Sequence, residues 1–179
     1  MTTFFLVRHA EADYSGPMKW GVKGWGGDIA PLTSKGIEQV KDSGAGLAEF
    51  KPDIILCSSM SRAIQTILIL KEYMGDVPVK VEFDLHEWIP DRTFQWQTLE
   101  EVLAIEDEMQ KSGCEWPDGK ERNWESFSMV RNRVFNVLKK YTGYDRVLVL
   151  CHAMLISSII HRDHIEKVKY LQAFEYVMD

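Results

Sequence analysis

The sequence predicts an α/β fold: a three-layer sandwich with a mostly parallel central sheet, helices on both faces, and a helical or irregular insertion overhanging it as a cap. Three observations predict it. Short apolar runs alternate with longer segments of helical period, as in parallel strands joined by crossover helices. The chain has 179 residues, 45% hydrophobic and 11% aromatic, enough for one sizeable core in a single domain over 1–179. Between about residues 88 and 125 the alternation lapses into a stretch rich in tryptophan.

Residues 3–7 are an apolar run ending at Arg8 and His9, the pattern of a buried strand. A loop rich in Gly and Trp follows over 14–29. Thr33 reads as an N-cap, with Ile37, Val40, Gly44 and Leu47 on one helical face, although Gly36 and Gly44 weaken that helix. Residues 53–57 form a second strand, and the serines at 58, 59 and 61 can cap a helix carrying Ala63, Ile67 and Leu70. A third strand alternates over 78–83. Within the insertion, Thr98 and Glu101 form a capping box opening a helix over 98–111. Phe127, Val130, Val134, Val137, Leu138 and Tyr141 predict a long helix over 125–141. Residues 145–151 are the clearest strand, 153–160 the helix after it, and the final residues an edge strand.

Charge narrows the function classes. Lys+Arg number 21 against 27 Asp+Glu, a net −6, which argues against a general nucleic-acid binder or a polybasic membrane-surface protein. A small anionic substrate stays open, because a few arginines can dominate one pocket. No run approaches about 18 apolar residues, so no membrane span is expected. The N-terminus lacks a signal-peptide pattern, and Cys57, Cys114 and Cys151 lack metal spacing; the expected location is cytoplasmic.

In open α/β sheets, ligands bind beyond the carboxyl ends of the strands. Those ends carry Arg8 and His9, then Ser58 to Arg62, then Leu85-His86-Glu87, and finally His152. Arginines and histidines suit a tetrahedral dianion, and Arg62 sits near a helix N-terminus, where amides and dipole favour phosphate. A histidine can attack phosphorus while a carboxyl group protonates the leaving oxygen.

The motifs resemble those of the histidine phosphatase superfamily, which includes the cofactor-dependent phosphoglycerate mutases. Leu6-Val7-Arg8-His9-Ala10-Glu11 is similar to its Arg-His-Gly signature, and Leu32-Thr33-Ser34-Lys35-Gly36-Ile37-Glu38-Gln39 to its Leu-Thr-x-x-Gly-x-x-Gln segment. Ser58-Ser59-Met60-Ser61-Arg62-Ala63-Ile64-Gln65-Thr66 resembles Ser-Ser-x-x-Arg-Ala-x-Gln-Thr. Leu85-His86-Glu87 falls where that family places its Leu-x-Glu acid, and Cys151-His152-Ala153 where it has Ser-His-Gly. Ala10, Ala153 and Cys151 depart from the pattern, and the region after His152 is short. The resemblance implies a metal-independent phosphomonoesterase without a cofactor. In it, His9 is the nucleophile, Glu87 the general acid and base, and Arg8, Arg62 and His152 hold the phosphoryl group together with His9. The expected partner is a phosphorylated small molecule, or else a phosphoprotein.

Several rivals stand beside this reading. A mutase could use the same site, although Arg8-His9-Ala10-Glu11-Ala12-Asp13-Tyr14-Ser15 departs from the Arg-His-Gly-x-Ser-x-x-Asn of family mutases. A non-catalytic phosphate-binding module could dispense with His9 or Glu87, yet both are present. Cys57-x4-Arg62 is one residue short of the Cys-x5-Arg of cysteine-dependent phosphatases, and a thiol ending an apolar strand is ordinarily inert. His161-x-x-His164 reads as a solvated segment rather than a metal site. Gly24-Trp25-Gly26-Gly27 reads as a mobile loop, not a dinucleotide fingerprint. Asp84 and Asp91 are alternative acids. Most of the tryptophans are expected in core packing, with a pocket role for one or two near Trp20 or Trp25.

Overall fold

The computed structural model describes the backbone of residues 1–179 and every side chain except those of Trp25, Gly27, Asp28 and Asp118. Strands β1 (Thr2–Arg8), β2 (Ile54–Ser58), β3 (Val79–Glu82), β4 (Arg146–Cys151) and β5 (Ala173–Met178) form one sheet in the order β3-β2-β4-β1-β5. The first four strands run parallel, and β5 closes the β1 edge antiparallel.

Because strand side chains alternate, the central strands feed two cores. Phe4, Leu6, Ile54, Leu56, Val147 and Val149 meet helices α5 (Phe127–Leu138) and α6 (Ala153–Ile160) on one face. Val7, Ile55, Cys57, Leu148 and Leu150 meet α2 (Ser34–Ala48) and α3 (Ser61–Met74) on the other. This is the three-layer sandwich that the sequence predicts. The remaining helices, α1 (Ser15–Lys19) and α4 (Leu99–Lys111), lie in the two long connections, and α4 opens on the Thr98–Glu101 capping box.

Several boundaries differ from the sequence reading. The segment 14–29 holds α1 and a 3-10 turn, Gly24–Ile29, rather than loop alone. The third strand stops at Glu82, and a 3-10 turn, Phe83–Leu85, carries the chain toward Glu87. The helix expected over 125–141 is capped by Ser126 and tightens after Leu138 into a 3-10 turn, Lys139–Tyr141. No helix among the described residues is long and apolar enough to cross a membrane.

Candidate active site

The sheet register assembles the site. Arg8 lies opposite Cys151, and Leu150 opposite both Val7 and Cys57, so β1, β4 and β2 end at one level. Beyond that level the His9 and His152 rings stand edge to face with centroids 5.0 Å apart. His9, Arg62 and His152 are all buried, at 2%, 4% and 0% exposure. Burying such polar groups is costly unless they find partners or a ligand.

His9 Nδ1 lies 2.6 Å from the Ala10 carbonyl oxygen, so it carries the ring proton and donates it there. Nε2 is therefore the bare nitrogen, and Arg62 Nε donates to it at 3.1 Å. Burial, then the Arg62 guanidinium, hold the imidazole pKa well below its ordinary value. A neutral ring with its lone pair facing an arginine has the form a phosphorus nucleophile needs. His152 is likewise kept neutral, by burial and then by Arg62. Its Nε2 meets Ser58 Oγ at 2.8 Å, and its Nδ1 is buried without a protein partner.

The two arginines are held from behind. Arg8 Nη1 donates to the Val168 carbonyl at 2.6 Å, and its guanidinium lies 4.0 Å over the Tyr170 ring. Arg62 sits in the first turn of α3, its guanidinium 5.6 Å from the Tyr14 ring. The N-cap of α3 is Met60 and makes no side-chain cap. The expected serine cap is absent because Ser58 Oγ instead pairs with His152 and accepts from Met60 N–H at 3.3 Å. The N-cap residue thus offers no side-chain acceptor at the start of α3, where the helix dipole suits an anion.

Glu87 lines the same cavity as Arg8 and Arg62. Its carboxylate accepts from Trp88 N–H at 2.9 Å and from Met154 N–H, at the start of α6, at 3.4 Å. Its backbone is clamped by Arg133 of α5, which donates to the carbonyls of Asp84 (2.6 Å), His86 (2.9 Å) and Glu87 (3.3 Å). Arg133 also makes a two-pronged pair with Glu125 at 2.9 and 3.0 Å, both side chains largely buried. Glu125 in turn accepts from Ile89 N–H, and its carbonyl accepts from Trp88 Nε1. The sequence reading missed this clamp.

The other resembling motifs act as scaffold. Thr33 Oγ1 caps Gly36 N–H, and Gln39 Oε1 accepts from Glu11 N–H at 3.0 Å. A Cβ on Gly36 would stand 2.2 Å from the Glu11 carbonyl oxygen, which explains a glycine there. Gln65 accepts from Leu32 N–H, while Thr66 Oγ1 accepts from Ala10 N–H and donates to the Arg62 carbonyl. Together they fix the chain leaving His9 against α2 and α3.

A cavity of about 800 Å³ is lined by Arg8, Arg62 and Glu87. Its apolar walls include Trp88, Trp96, Leu99, Val102, Met154 and Ile165. The wall that the short C-terminal region left unspecified comes from residues 165–168. Trp88 and Trp96, not Trp20, are the described pocket tryptophans; Trp20 is 68% exposed, and the Trp25 side chain lies outside the described residues. Glu106 of α4 also lines the cavity, its pKa raised by burial and then by the charge of Glu87. Asp84 and Asp91 do not line it; Asp91 instead accepts from the Thr93 N–H and hydroxyl. Cys57 is buried in the α2/α3 core, and burial pushes its thiol up to about 12. Of the departures, Ala10 is fully buried, Ala153 adds a methyl to the pocket wall, and burial raises the Cys151 thiol.

The fold agrees with the comparisons. The profile of the histidine phosphatase superfamily (branch 1) matches residues 4–176, and the chain belongs to that family. It is 29% identical over 163 residues to the uncharacterized phosphatase PhoE of Bacillus subtilis, covering 89% of this chain and 76% of that one. It is 26% identical over 169 residues to the adenosylcobalamin/alpha-ribazole phosphatase of Escherichia coli, covering 88% and 77%. A solved phosphoglycerate mutase of Bacillus anthracis shares the fold, with a TM-score of 0.70 and 19% identity over 97% of this chain and 86% of that one.

Proposed function

We propose that this chain is a metal-independent phosphomonoesterase working through a phosphohistidine on His9. The observation carrying the proposal is the bare His9 Nε2, fixed by the Ala10 carbonyl and facing Arg62. Substrate phosphate draws the Arg62 guanidinium from that nitrogen to its own oxygens, where Arg8 and His152 join it. Nε2 attacks phosphorus in line, the P–O bond to the leaving group breaks, and Glu87 gives that oxygen its proton. Glu87, now a carboxylate, takes a proton from water, whose oxygen attacks phosphorus. The P–N bond breaks, releasing phosphate and neutral His9.

The apolar walls suit a monoester with a bulky organic part, and segment 88–125 serves as the cap over it. Glu106, where protonated, can donate a hydrogen bond to that part. The likeness to the adenosylcobalamin/alpha-ribazole phosphatase of Escherichia coli supports a small-molecule substrate. Unpaired Cys57, Cys114 and Cys151 suit a reducing cytoplasm. A mutase on this site would have to retain its dephosphorylated intermediate and keep water from the phosphohistidine.

Hydrolysis of p-nitrophenyl phosphate by the purified chain separates an enzyme from a binding module, which would bind phosphate without turnover. EDTA is expected to leave kcat intact, and vanadate to inhibit strongly by matching the transition-state geometry. Activity lost to chelation and restored by Mg2+ would contradict this mechanism. The acid has its own test. Glu87→Gln is expected to slow phosphorylation at least ~10-fold more with an alkyl phosphate than with p-nitrophenyl phosphate, because a phenolate leaves with little protonation. Arg62→Ala should slow both alike. Equal losses in Glu87→Gln would remove Glu87 from the role.

A further inference from the structure

We propose that the turn after α6 holds a divalent transition-metal site, of zinc type, made by His161, His164 and Glu166, which borders the active-site cavity through Glu166 but uses none of the phosphate-binding residues. The sequence offered only two histidines there; the fold adds a carboxylate. One ring nitrogen of each histidine and one Glu166 oxygen lie within 4.8 Å of one another. The His161 Nε2 to Glu166 Oε2 distance is 2.9 Å. Ligand atoms around a tetrahedral zinc with bonds of about 2.0 Å stand about 3.3 Å apart, so these separations bracket the required one. His161 Nε2 is shielded from solvent, and its contact with Glu166 lacks hydrogen-bond alignment, which leaves its lone pair unused. His164 Nδ1 meets Asp163 Oδ1 at 2.8 Å. Such a carboxylate fixes the tautomer of a metal-bound histidine and leaves Nε2 to the ion.

The backbone carrying these groups is tied to three helices. Arg131 of α5 donates to the Arg162 carbonyl at 3.1 Å. Ser157 of α6 exchanges hydrogen bonds with the Glu166 backbone, at 3.1 and 3.4 Å. Ile165 N–H donates to Gln110 of α4 at 2.7 Å. The backbone carrying the ligands is thus held before any ion arrives, and three protein ligands leave a fourth position for water. Two imidazoles and a carboxylate favour Zn2+, with Co2+ a spectroscopic substitute, over Mg2+ or Ca2+. The ion would pin the pocket wall at residues 165–168, whose Val168 carbonyl holds Arg8. Removing it takes no group from the phosphoryl chemistry.

The test is calorimetric titration of untagged, chelator-stripped protein with Zn2+, beside His164→Ala, Glu166→Gln and His9→Ala. One equivalent is expected on the wild type. Affinity should fall at least ~10-fold in His164→Ala and in Glu166→Gln and stay unchanged in His9→Ala. Free Zn2+ about 100-fold above Kd should raise the wild-type Tm by about 5–10 °C. His164 is exposed, so stripped His164→Ala should melt and turn over as stripped wild type does. No binding to the wild type, undiminished binding to His164→Ala, or binding lost instead in His9→Ala would overturn the proposal.

Discussion

His9→Ala is expected to lower kcat on any phosphomonoester by at least about 10⁴-fold while the chain remains folded. The alanine has no nitrogen to attack phosphorus, and His152, the neighbouring imidazole, has Nε2 engaged with Ser58. A folding defect can be separated from this loss by pH. Burial first, and arginine charge second, hold His9, His86 and His152 below their ordinary pKa, so the folded chain keeps all three neutral. The unfolded chain takes up protons once pH falls below about 6.5. Stability is therefore full above that value and is lost as pH falls toward the depressed folded values. His9→Ala removes one of the three, so its stability should fall less steeply on acidification, while turnover stays absent at every pH. Residual activity above a thousandth of wild type would place the nucleophile elsewhere.

Arg133→Ala should be the most destabilising of the single substitutions considered. It strands the buried Glu125 carboxylate and takes the Arg133 donor from the carbonyls of Asp84, His86 and Glu87. Breaking one side of a buried ion pair costs about 3–5 kcal/mol, a fall in Tm of roughly 10 °C for a domain of this size. Molecules that remain folded should show the signature of a misplaced acid, losing more activity on an alkyl phosphate than on an aryl one. Arg133→Met with Glu125→Leu should recover part of the stability by removing both charges, without recovering that substrate ratio. A ratio equal to wild type in Arg133→Ala would make Arg133 purely structural.

The layers, the parallel strands and the residues leaving them were legible because they depend on short stretches of chain. An apolar run marks each central strand, and the residue leaving it is placed at the sheet edge by topology alone. Arg8, His9, Arg62 and His152 could be read in that way. Residues that reach the site across the fold could not. Tyr14 and Tyr170 come from irregular segments, and Glu106, one of several acidic residues on α4, reaches the pocket beside the apolar Leu99 and Val102. Arg133 did leave a trace: it lies three residues after Val130 and four before Val137, on the apolar stripe of α5. An arginine there needs a buried anion, and Glu125 lies two residues before Phe127 begins the stripe. That Glu166 comes close to His161 and His164 was not visible in the sequence, because it lies beyond a turn whose shape spacing does not reveal.

The most direct test of the central claim is a rapid acid-free quench of Glu87→Gln mixed with p-nitrophenyl phosphate, followed by mass spectrometry at neutral or alkaline pH. The substitution leaves the easy first step but slows hydrolysis of the phosphoenzyme, so the intermediate should accumulate toward one phosphoryl group per chain. The account predicts that group on His9, stable in alkali, lost in acid, and absent when His9→Ala is added. Phosphate on Cys57, or steady turnover by this variant with no phosphorylated chain, would contradict it.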